Sequence, residues 1–281
     1  MTPATIEASG LSLLAAASWG GGDFSGGLAA KRASVFRVVA VAHASGLLAM
    51  LVLAWVTEEA VPPRADLLWG AFAGFAGAFG IAALYKALAI GRMGVVAPVA
   101  AVVTGALPVL FSLRVEGMPD RIQLFGFALA LVSIWLVARP NEFVDSHPGL
   151  GLAVLAGVMF GLFLVAGKQA GHHGVFWPLV AARLVSTTLM LTIVAIAPRD
   201  PRPLRAVLWP IVLSGLLDSA GNALFIAATR HGRLDVAAVL SSLYPASTVI
   251  LARVLLKERI SVTQGAGIVG ALASVALISA R

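Results

Sequence analysis

Apolar residues occur along the chain in ten blocks of about twenty, and short polar or proline-bearing connections separate one block from the next. A helix needs about 20 apolar residues to cross the hydrocarbon core of a bilayer. The pattern therefore predicts an all-α membrane protein with ten transmembrane helices and no soluble domain. The predicted spans are 11–30, 36–56, 67–89, 94–114, 121–138, 149–168, 175–196, 207–229, 235–255 and 262–280.

The second half of the chain repeats the first at a shift of about 140 residues. Trp19 falls on Phe160, and "ALYKALA" at 83–89 falls on "ALFIAAT" at 223–229. Because each half holds an odd number of spans, the second copy must lie upside down in the membrane. We therefore expect two inverted five-helix repeats around a central cavity. The expected repeats are residues 1–140 and 141–281.

The composition supports a membrane protein and excludes several other classes. Of the 281 residues, 59% are hydrophobic and only 12% are charged, which is unlike soluble domains. The net charge of +7 arises from Lys and Arg scattered between apolar blocks, so no basic stripe indicates nucleic-acid binding. The chain has no cysteine, which excludes disulfides, thiolate metal sites and a cysteine nucleophile.

Two aspartates fall near the middle of predicted spans: Asp23 in the first and Asp218 in the eighth. A charge at this depth costs about 2.5–3.5 kcal/mol, so each is expected to face a cavity or a partner. Ser214 and Asn222 lie one helical turn before and after Asp218, which predicts a polar stripe beside water or substrate. The alternative for each aspartate is a protonated or hydrogen-bonded packing role.

The stretch "SWGGGDFSGG" at 18–27 places five glycines around Asp23. Glycine costs about 1 kcal/mol relative to alanine in a helix, so this segment is expected to loosen or unwind. Unwound backbone inside a membrane is tolerated where it lines a cavity or packs against protein. We therefore predict a hinge at Gly20 and Gly22 in a ligand-facing segment. Close helix packing through small residues is the competing interpretation.

Three basic side chains are further candidates for the cavity. Arg183, about a third of the way through the seventh span, must find a carboxylate, backbone carbonyls or the substrate because it cannot be neutralised. Lys86 lies three residues from the end of the third span, where a long side chain also reaches the interface by snorkelling. His43 occupies the repeat position of Arg183 and is either a packing residue or a proton relay.

Prolines mark the fourth and ninth spans, which are repeat partners of each other. Pro98 and Pro245 remove helix hydrogen bonds, and interrupted helices at corresponding positions of two halves indicate a binding site. A static kink is the alternative. Trp19 and Tyr244 are candidates for the floor of the pocket, since a buried Trp or Tyr needs a partner for its polar atom.

Several motifs resemble the EamA-like, ten-helix branch of the drug/metabolite transporter superfamily. They are "SWGGGDF" in the first span, "FGLFLVAGK" in the sixth, Arg183 in the seventh, and "LYPASTVILARVLLKERISVTQGAGIVG" at 243–270. The resemblance covers the whole chain and implies a membrane transporter with its termini inside. The first half departs from the pattern, with His43 at the repeat position of Arg183 and Thr104 at that of Pro245.

The leading functional hypothesis is a secondary transporter, an exporter, that carries small polar metabolites by alternating access. Asp23, Asp218 and Arg183 offer both signs of charge, which suits amino acids or related zwitterions. If the cation is paired internally, the site suits cationic or neutral metabolites or drugs instead. Either aspartate is also a candidate proton carrier, which would make the protein a proton antiporter. A non-transporting membrane scaffold is the remaining alternative.

Neither an enzyme nor a cofactor is expected. The chain has no H-E-x-x-H motif for metal hydrolysis and no G-x-S-x-G motif with a paired His and Asp. His172 and His173 are adjacent and lack a carboxylate cluster, so we interpret them as loop residues without a metal. The expected partners are a small-molecule substrate and the lipid bilayer. High Ala, Gly and Arg usage suggests a multi-pass protein of the bacterial inner membrane.

Overall fold

The structure is a computed structural model that describes residues 3–91, 93–137, 148–197, 200–255 and 261–278. All regular structure in these ranges is helical. The α-helices are α1 (Pro3–Ala30), α2 (Val35–Val56), α3 (Arg64–Ile90), α4 (Met93–Val115), α5 (Arg121–Val137), α6 (Leu150–Ala170), α7 (Phe176–Ile196), α8 (Leu208–His231), α9 (Leu234–Ser241), α10 (Tyr244–Leu255) and α11 (Val262–Ile278).

The helices follow the predicted spans closely within the described ranges. Each predicted span corresponds to one helix, except that α9 and α10 share the span 235–255 and are separated at Ser242 and Leu243. Among the residues that the structure describes, five helical segments are long and apolar enough to cross a membrane by length and composition: α2, α3, α6, α7, and α8 together with the helical turn before it. The count of ten crossings stays a prediction.

The outer surface of the helix bundle is apolar. Large hydrophobic side chains point away from the protein, among them Trp209 at 71% exposure and Phe125 at 64%. Soluble monomers rarely expose so much contiguous apolar surface, whereas helices in a bilayer do. The outer surface therefore matches a hydrocarbon environment, and the polar side chains are found mainly inside and at the helix ends.

The two halves pack on each other with approximate two-fold symmetry. Helix α1 packs on α8, and its repeat counterpart α6 packs on α3. In the same way the α2–α8 contact corresponds to the α7–α3 contact. The α2–α7 and α5–α11 contacts each correspond to themselves when the halves are exchanged. The interface between the halves therefore consists of helix contacts that occur in equivalent pairs or correspond to themselves.

Two glycines make equivalent close contacts in the two halves. A Cβ placed on Gly74 of α3 would lie 2.1 Å from the carbonyl oxygen of Ala182 on α7. A Cβ placed on Gly215 of α8 would lie 1.9 Å from the carbonyl oxygen of Ala42 on α2. Gly74 and Gly215 correspond in the repeat, as do Ala182 and Ala42. Only glycine permits these backbones to approach so closely.

We expect Gly74→Ala and Gly215→Ala each to lower the free energy of unfolding by about 1–3 kcal/mol, because the added methyl group meets backbone that cannot rotate away. Thermal unfolding in detergent would measure the loss. Gly151→Ala on α6 is the matched control, since a Cβ there meets nothing within 4 Å. Equal melting temperatures for all three variants would contradict the close packing.

Candidate functional site

A cavity lies between the two halves and is lined by residues of both. Helices α1, α2, α3, α4, α6, α7, α8 and α10 and the break between α9 and α10 contribute to its wall. Its polar or charged lining residues are Asp23, His43, Thr104, Arg183, Ser186, Asp218, Asn222 and Ser242.

The structure brings six of the seven predicted substrate-binding residues to this cavity: Trp19, Asp23, Arg183, Asp218, Asn222 and Tyr244. Lys86 is separated from them. Its neighbours Tyr85 and Ala87 on α3 are buried, whereas Lys86 itself is exposed on the other side of the helix. A lysine near a helix end reaches the interface in this way, so the snorkelling interpretation fits Lys86 better than a place in the site.

Arg183 on α7 and Asp218 on α8 form an ion pair in the wall of the cavity. The Nη2 group of Arg183 donates a hydrogen bond to Oδ2 of Asp218. Arg183 is buried, with 5% of its surface exposed, and the Asp218 side chain is 22% exposed. The Nε atom of Arg183 is buried and has no hydrogen-bond partner among the described residues. The guanidinium therefore neutralises one aspartate and retains an unused donor.

Trp19 is held in place by α8. Its Nε1 donates a hydrogen bond of 2.9 Å to Oδ1 of Asn222. The indole lies over Gly221, where an added Cβ would stand 2.5 Å from Cδ1 of the ring. This arrangement satisfies the only polar atom of the indole and fixes the ring at the cavity wall. The predicted polar stripe on α8 therefore serves both Trp19 and Arg183.

Asp23 is the carboxylate left over in this arrangement. It lies one helical turn after Trp19 on α1, lines the cavity and is partly buried. Within the described part of the chain no hydrogen bond or ion pair to its side chain is found. Since Asp218 already has Arg183, the cavity presents one uncompensated acidic group. Such a group at membrane depth is expected to receive a ligand cation or a proton.

The expected unwinding of the first helix at the glycines is wrong, and the hinge there stays a prediction. Helix α1 continues without a break through Gly20 and Gly22. A Cβ on Gly20 would lie 2.6 Å from the carbonyl oxygen of Tyr244, and one on Gly22 would lie 3.3 Å from that of Ser214. These glycines let α1 pack closely on α10 and α8, which is the competing interpretation. The cost of glycine in a helix is offset here by packing.

The two prolines differ in effect. Helix α4 continues through Pro98, so the predicted break there is wrong; near a helix start a proline removes a single hydrogen bond. The ninth span, by contrast, is interrupted between α9 and α10 at Ser242 and Leu243, immediately before Tyr244 and Pro245. Ser242 and Tyr244 both line the cavity. Irregular backbone thus occurs where it faces the cavity, as expected inside a membrane.

Ionic contacts join the two halves at one end of the bundle. We call this end the terminal face; it carries the connections 57–63, 116–120, 171–175 and 232–233. The Glu59 carboxylate accepts hydrogen bonds from the backbone N–H groups of Val175, Phe176 and Trp177 at the start of α7, at 2.8, 2.8 and 3.0 Å. A carboxylate at a helix N-terminus is stabilised by the unpaired N–H groups and by the helix dipole.

Further contacts at the terminal face surround Glu116. It pairs with Lys168 at 3.5 Å and accepts a hydrogen bond from the N–H of Leu234 at 3.0 Å. Arg233 donates to the backbone oxygen of Glu116 at 3.0 Å and pairs with Asp235. The four connections are thereby joined in two pairs, 57–63 with 171–175 and 116–120 with 232–233, by polar contacts between the halves.

The opposite face has a related but weaker contact. Arg37 on α2 donates a hydrogen bond of 2.9 Å to the backbone oxygen of Asp200. The equivalent bond at the terminal face runs from Nε1 of Trp177 on α7 to the backbone oxygen of Glu59, at 2.7 Å. The Asp200 carboxylate does not cap α2, because Arg202 holds it through several hydrogen bonds. These bonds lower the pKa of Asp200 to about 2. The cap of Glu59 is therefore specific to the terminal face.

We expect Glu59→Ala to lower the free energy of unfolding by about 1–2 kcal/mol, because α7 loses the acceptor for three backbone N–H groups. Glu59→Gln, which keeps one acceptor oxygen, is expected to lose less. Unfolding in detergent would measure both. The neighbouring Glu58→Ala is the control, and an equal loss in that variant would show that the cap contributes nothing particular.

Sequence reasoning missed the apolar part of the cavity lining. Ile81, Phe160, Phe163 and Leu164 contact the cavity, but apolar residues are the background of every membrane helix. Trp19 falls on Phe160 in the repeat, and both line the cavity. The apolar lining could have been found from the sequence by applying the repeat shift to each polar candidate.

Fold and cavity together define the class: a helical membrane protein built from two similar halves around a central site, as in secondary transporters. The family model described as "EamA-like transporter family" matches residues 8–139 and again residues 147–280. The chain therefore belongs to the EamA-like transporter family and is a multi-pass membrane transporter.

A solved structure titled "Crystal structure of protein" is similar to this chain with a TM-score of 0.76 and 19% sequence identity. The match covers 96% of this chain and 95% of that one, and at this identity it supports the fold alone. Among curated proteins no match is found.

Proposed function

We propose that this protein is an exporter of small metabolites that carry an ammonium group, with amino acids and related zwitterions as its first substrates. The observation that carries the proposal is the uncompensated Asp23 beside the Arg183–Asp218 pair. We place the protein in the bacterial inner membrane and its two halves in opposite orientation. Transport then follows from rocking of the halves, which exposes the cavity to each side in turn.

A zwitterion fits the arrangement of charges in the cavity. Its ammonium group replaces the missing partner of Asp23. Arg183 lines the cavity and has five N–H groups, so a substrate carboxylate can share the guanidinium with Asp218. Both ends of the substrate are then paired, which lowers the cost of holding charge inside the membrane.

A second candidate is export of cationic metabolites or drugs in exchange for protons. It is favoured by the internal pairing of Arg183 with Asp218, which leaves the cavity with a net negative charge at Asp23. In this mechanism Asp23 alternates between substrate cation and proton. A carboxylic acid group on the substrate would then be unnecessary or unfavourable.

Opening on the terminal face requires the contacts of Glu59 and Glu116 to separate. The break between α9 and α10 gives the ninth span a place to bend, since Ser242 and Leu243 lie outside both helices. Alternating access in this protein therefore exchanges polar contacts at the terminal face for contacts at the opposite face. Movement at Ser242 accompanies this exchange and alters the cavity wall.

The test is solute counterflow in proteoliposomes with matched pairs of compounds. Leucine is compared with 3-methylbutylamine, and phenylalanine with 2-phenylethylamine; each amine equals its amino acid without the carboxyl group. Saturable counterflow that favours the amino acids supports the zwitterion proposal, and faster counterflow of the amines, driven by a pH gradient, supports the antiporter. Vesicles without protein are the control. The absence of any counterflow with folded protein favours the scaffold and contradicts both.

A further inference from the structure

The cavity has two faces of different chemistry. The polar face consists of Trp19 and Asp23 on α1 and of Asp218 and Asn222 on α8. Opposite them in the fold, the apolar face consists of Phe160 and Leu164 on α6 and of Gly77 and Ile81 on α3. Each face is formed by one of the two symmetry-related helix pairs, α1 with α8 and α6 with α3.

The two faces occupy equivalent places in the two halves. The contacts of Phe160 with Gly80 and of Trp19 with Gly221 set the shift on α3 and α8 at 141 residues, one more than the sequence match of 83–89 with 223–229. This shift carries every residue of the polar face onto one of the apolar face: Trp19 onto Phe160, Asp23 onto Leu164, Asp218 onto Gly77 and Asn222 onto Ile81. The backbone therefore presents the same four positions twice, and only the side chains differ. One wall offers charge and hydrogen bonds, and the other offers hydrocarbon alone.

The apolar face is formed by packing inside the protein itself. The Phe160 ring lies over Gly80, where an added Cβ would stand 2.7 Å from Cδ1 of the ring. Leu164 and Ile81 are 1% and 5% exposed, so their side chains are fixed by neighbours. The equivalent contact on the other side is that of Trp19 with Gly221. Both rings are thus positioned before a ligand arrives.

Resting on the proposed function, we propose that the substrate is amphipathic. Its ammonium group binds at Asp23, and a branched aliphatic or aromatic group lies on the apolar face. Small or wholly polar metabolites make few apolar contacts with that face and bind weakly. Each CH₂ group that is buried strengthens binding by about fourfold, so affinity should rise steeply with the size of the apolar group.

Gly77 is the residue that sets the size of this group. It lines the cavity at the repeat position of Asp218. A Cβ on Gly77 would lie 3.3 Å from Cδ2 of Phe163, which also lines the cavity. The absence of a side chain at this position keeps the space in front of Phe163 open. A valine there would fill this space and would leave Asp23 untouched.

The experiment compares ligand binding by the wild type, Gly77→Val and Gly151→Val. Gly151 is exposed on α6 and meets nothing within 4 Å, so its variant controls for a valine in a helix. Binding to the purified protein in detergent is measured by thermal stabilisation, which rises with ligand concentration over Kd. The ligands are glycine, alanine, leucine and phenylalanine, together with methylamine, ethylamine, 3-methylbutylamine and 2-phenylethylamine.

We expect leucine or its amine to bind the wild type at least tenfold more tightly than alanine or its amine. Gly77→Val should lose at least tenfold in affinity for the larger ligands and keep its affinity for the smaller ones, whereas Gly151→Val should match the wild type. Equal affinity across the size series, an equal loss for all ligands in Gly77→Val, or no binding by any ligand would overturn the proposal.

These outcomes are separable from those for transport itself. Size-ordered binding without counterflow would refute the transport proposal and leave the two-faced site intact. Counterflow that is insensitive to the size of the apolar group would leave the transporter intact and refute the role of the apolar face. Because the series contains amino acids and amines, the result also does not depend on whether the substrate carries a carboxylate.

Discussion

Arg183→Met and Asp218→Asn are each expected to lower the free energy of unfolding by about 3–5 kcal/mol, while the double variant is expected to recover most of that loss. Removing one member of a buried ion pair leaves the other charge uncompensated, whereas replacing both leaves no charge to bury. Arg183 is only 5% exposed, so water screens it little. Unfolding in mixed detergent micelles would measure all three variants and give the coupling energy.

The three variants are expected to differ in stability but to share the same loss of transport. All three should fail in counterflow, because even the stable double variant has lost the guanidinium and one carboxylate of the cavity. The Trp19–Asn222 hydrogen bond does not involve either residue, so the cavity wall on α8 should persist. Single variants as stable as the wild type would show that Arg183 and Asp218 do not depend on each other.

Most helix positions follow directly from the sequence. Apolar runs of membrane length end at polar or proline-bearing connections, so the predicted span 36–56 and the helix Val35–Val56 differ by one residue. The same holds for 121–138 and Arg121–Val137. The repeat was also readable, because the contact of Gly74 with Ala182 needs glycine and alanine at the equivalent positions Gly215 and Ala42.

The site was only partly predictable. Depth along a span can be counted, which located Asp23, Arg183 and Asp218, but depth does not tell which side of a helix faces the cavity. Lys86 was predicted in the cavity but does not line it for this reason: it is the next residue after buried Tyr85 and lies on the other side of the helix. The expected unwinding at the glycines near Asp23 was wrong for a different reason. The sequence shows the flexibility of glycine but not the backbone of α10 packed against Gly20.

The apolar face of the cavity could not be predicted from residue types alone. Gly77 and Ile81 are ordinary residues of a membrane helix, and nothing local distinguishes them from residues that face lipid. Their importance appears only when the repeat carries Asp218 and Asn222 onto them. Polar residues inside a membrane are conspicuous because they are costly, whereas an apolar ligand surface has no such cost to reveal it.

Asp23→Asn is expected to reduce counterflow at least tenfold while leaving stability nearly unchanged. The carboxylate has no protein partner among the described residues, so the amide removes no internal contact, and it relieves the cost of a charge at membrane depth. A substrate ammonium group, however, loses its charged partner, and charge-assisted hydrogen bonds are roughly twice as strong as neutral ones. Counterflow and thermal unfolding on the same preparation would measure both effects.

The contrast with Asp218 makes the Asp23 result diagnostic. Asp218→Asn is expected to lose stability and transport together, whereas Asp23→Asn should lose transport alone. Glu7→Gln, near the start of the same helix, is the control. The Glu7 carboxylate is exposed and lies 3.6 Å from Nδ1 of His231, and such surface pairs contribute little, so neither transport nor stability should change. Full transport by Asp23→Asn would move the cation site to Asp218 and would require the substrate to displace Arg183. A large loss of stability in Asp23→Asn would instead indicate that Asp23 serves packing, and the cavity would then lack a carboxylate free for a ligand.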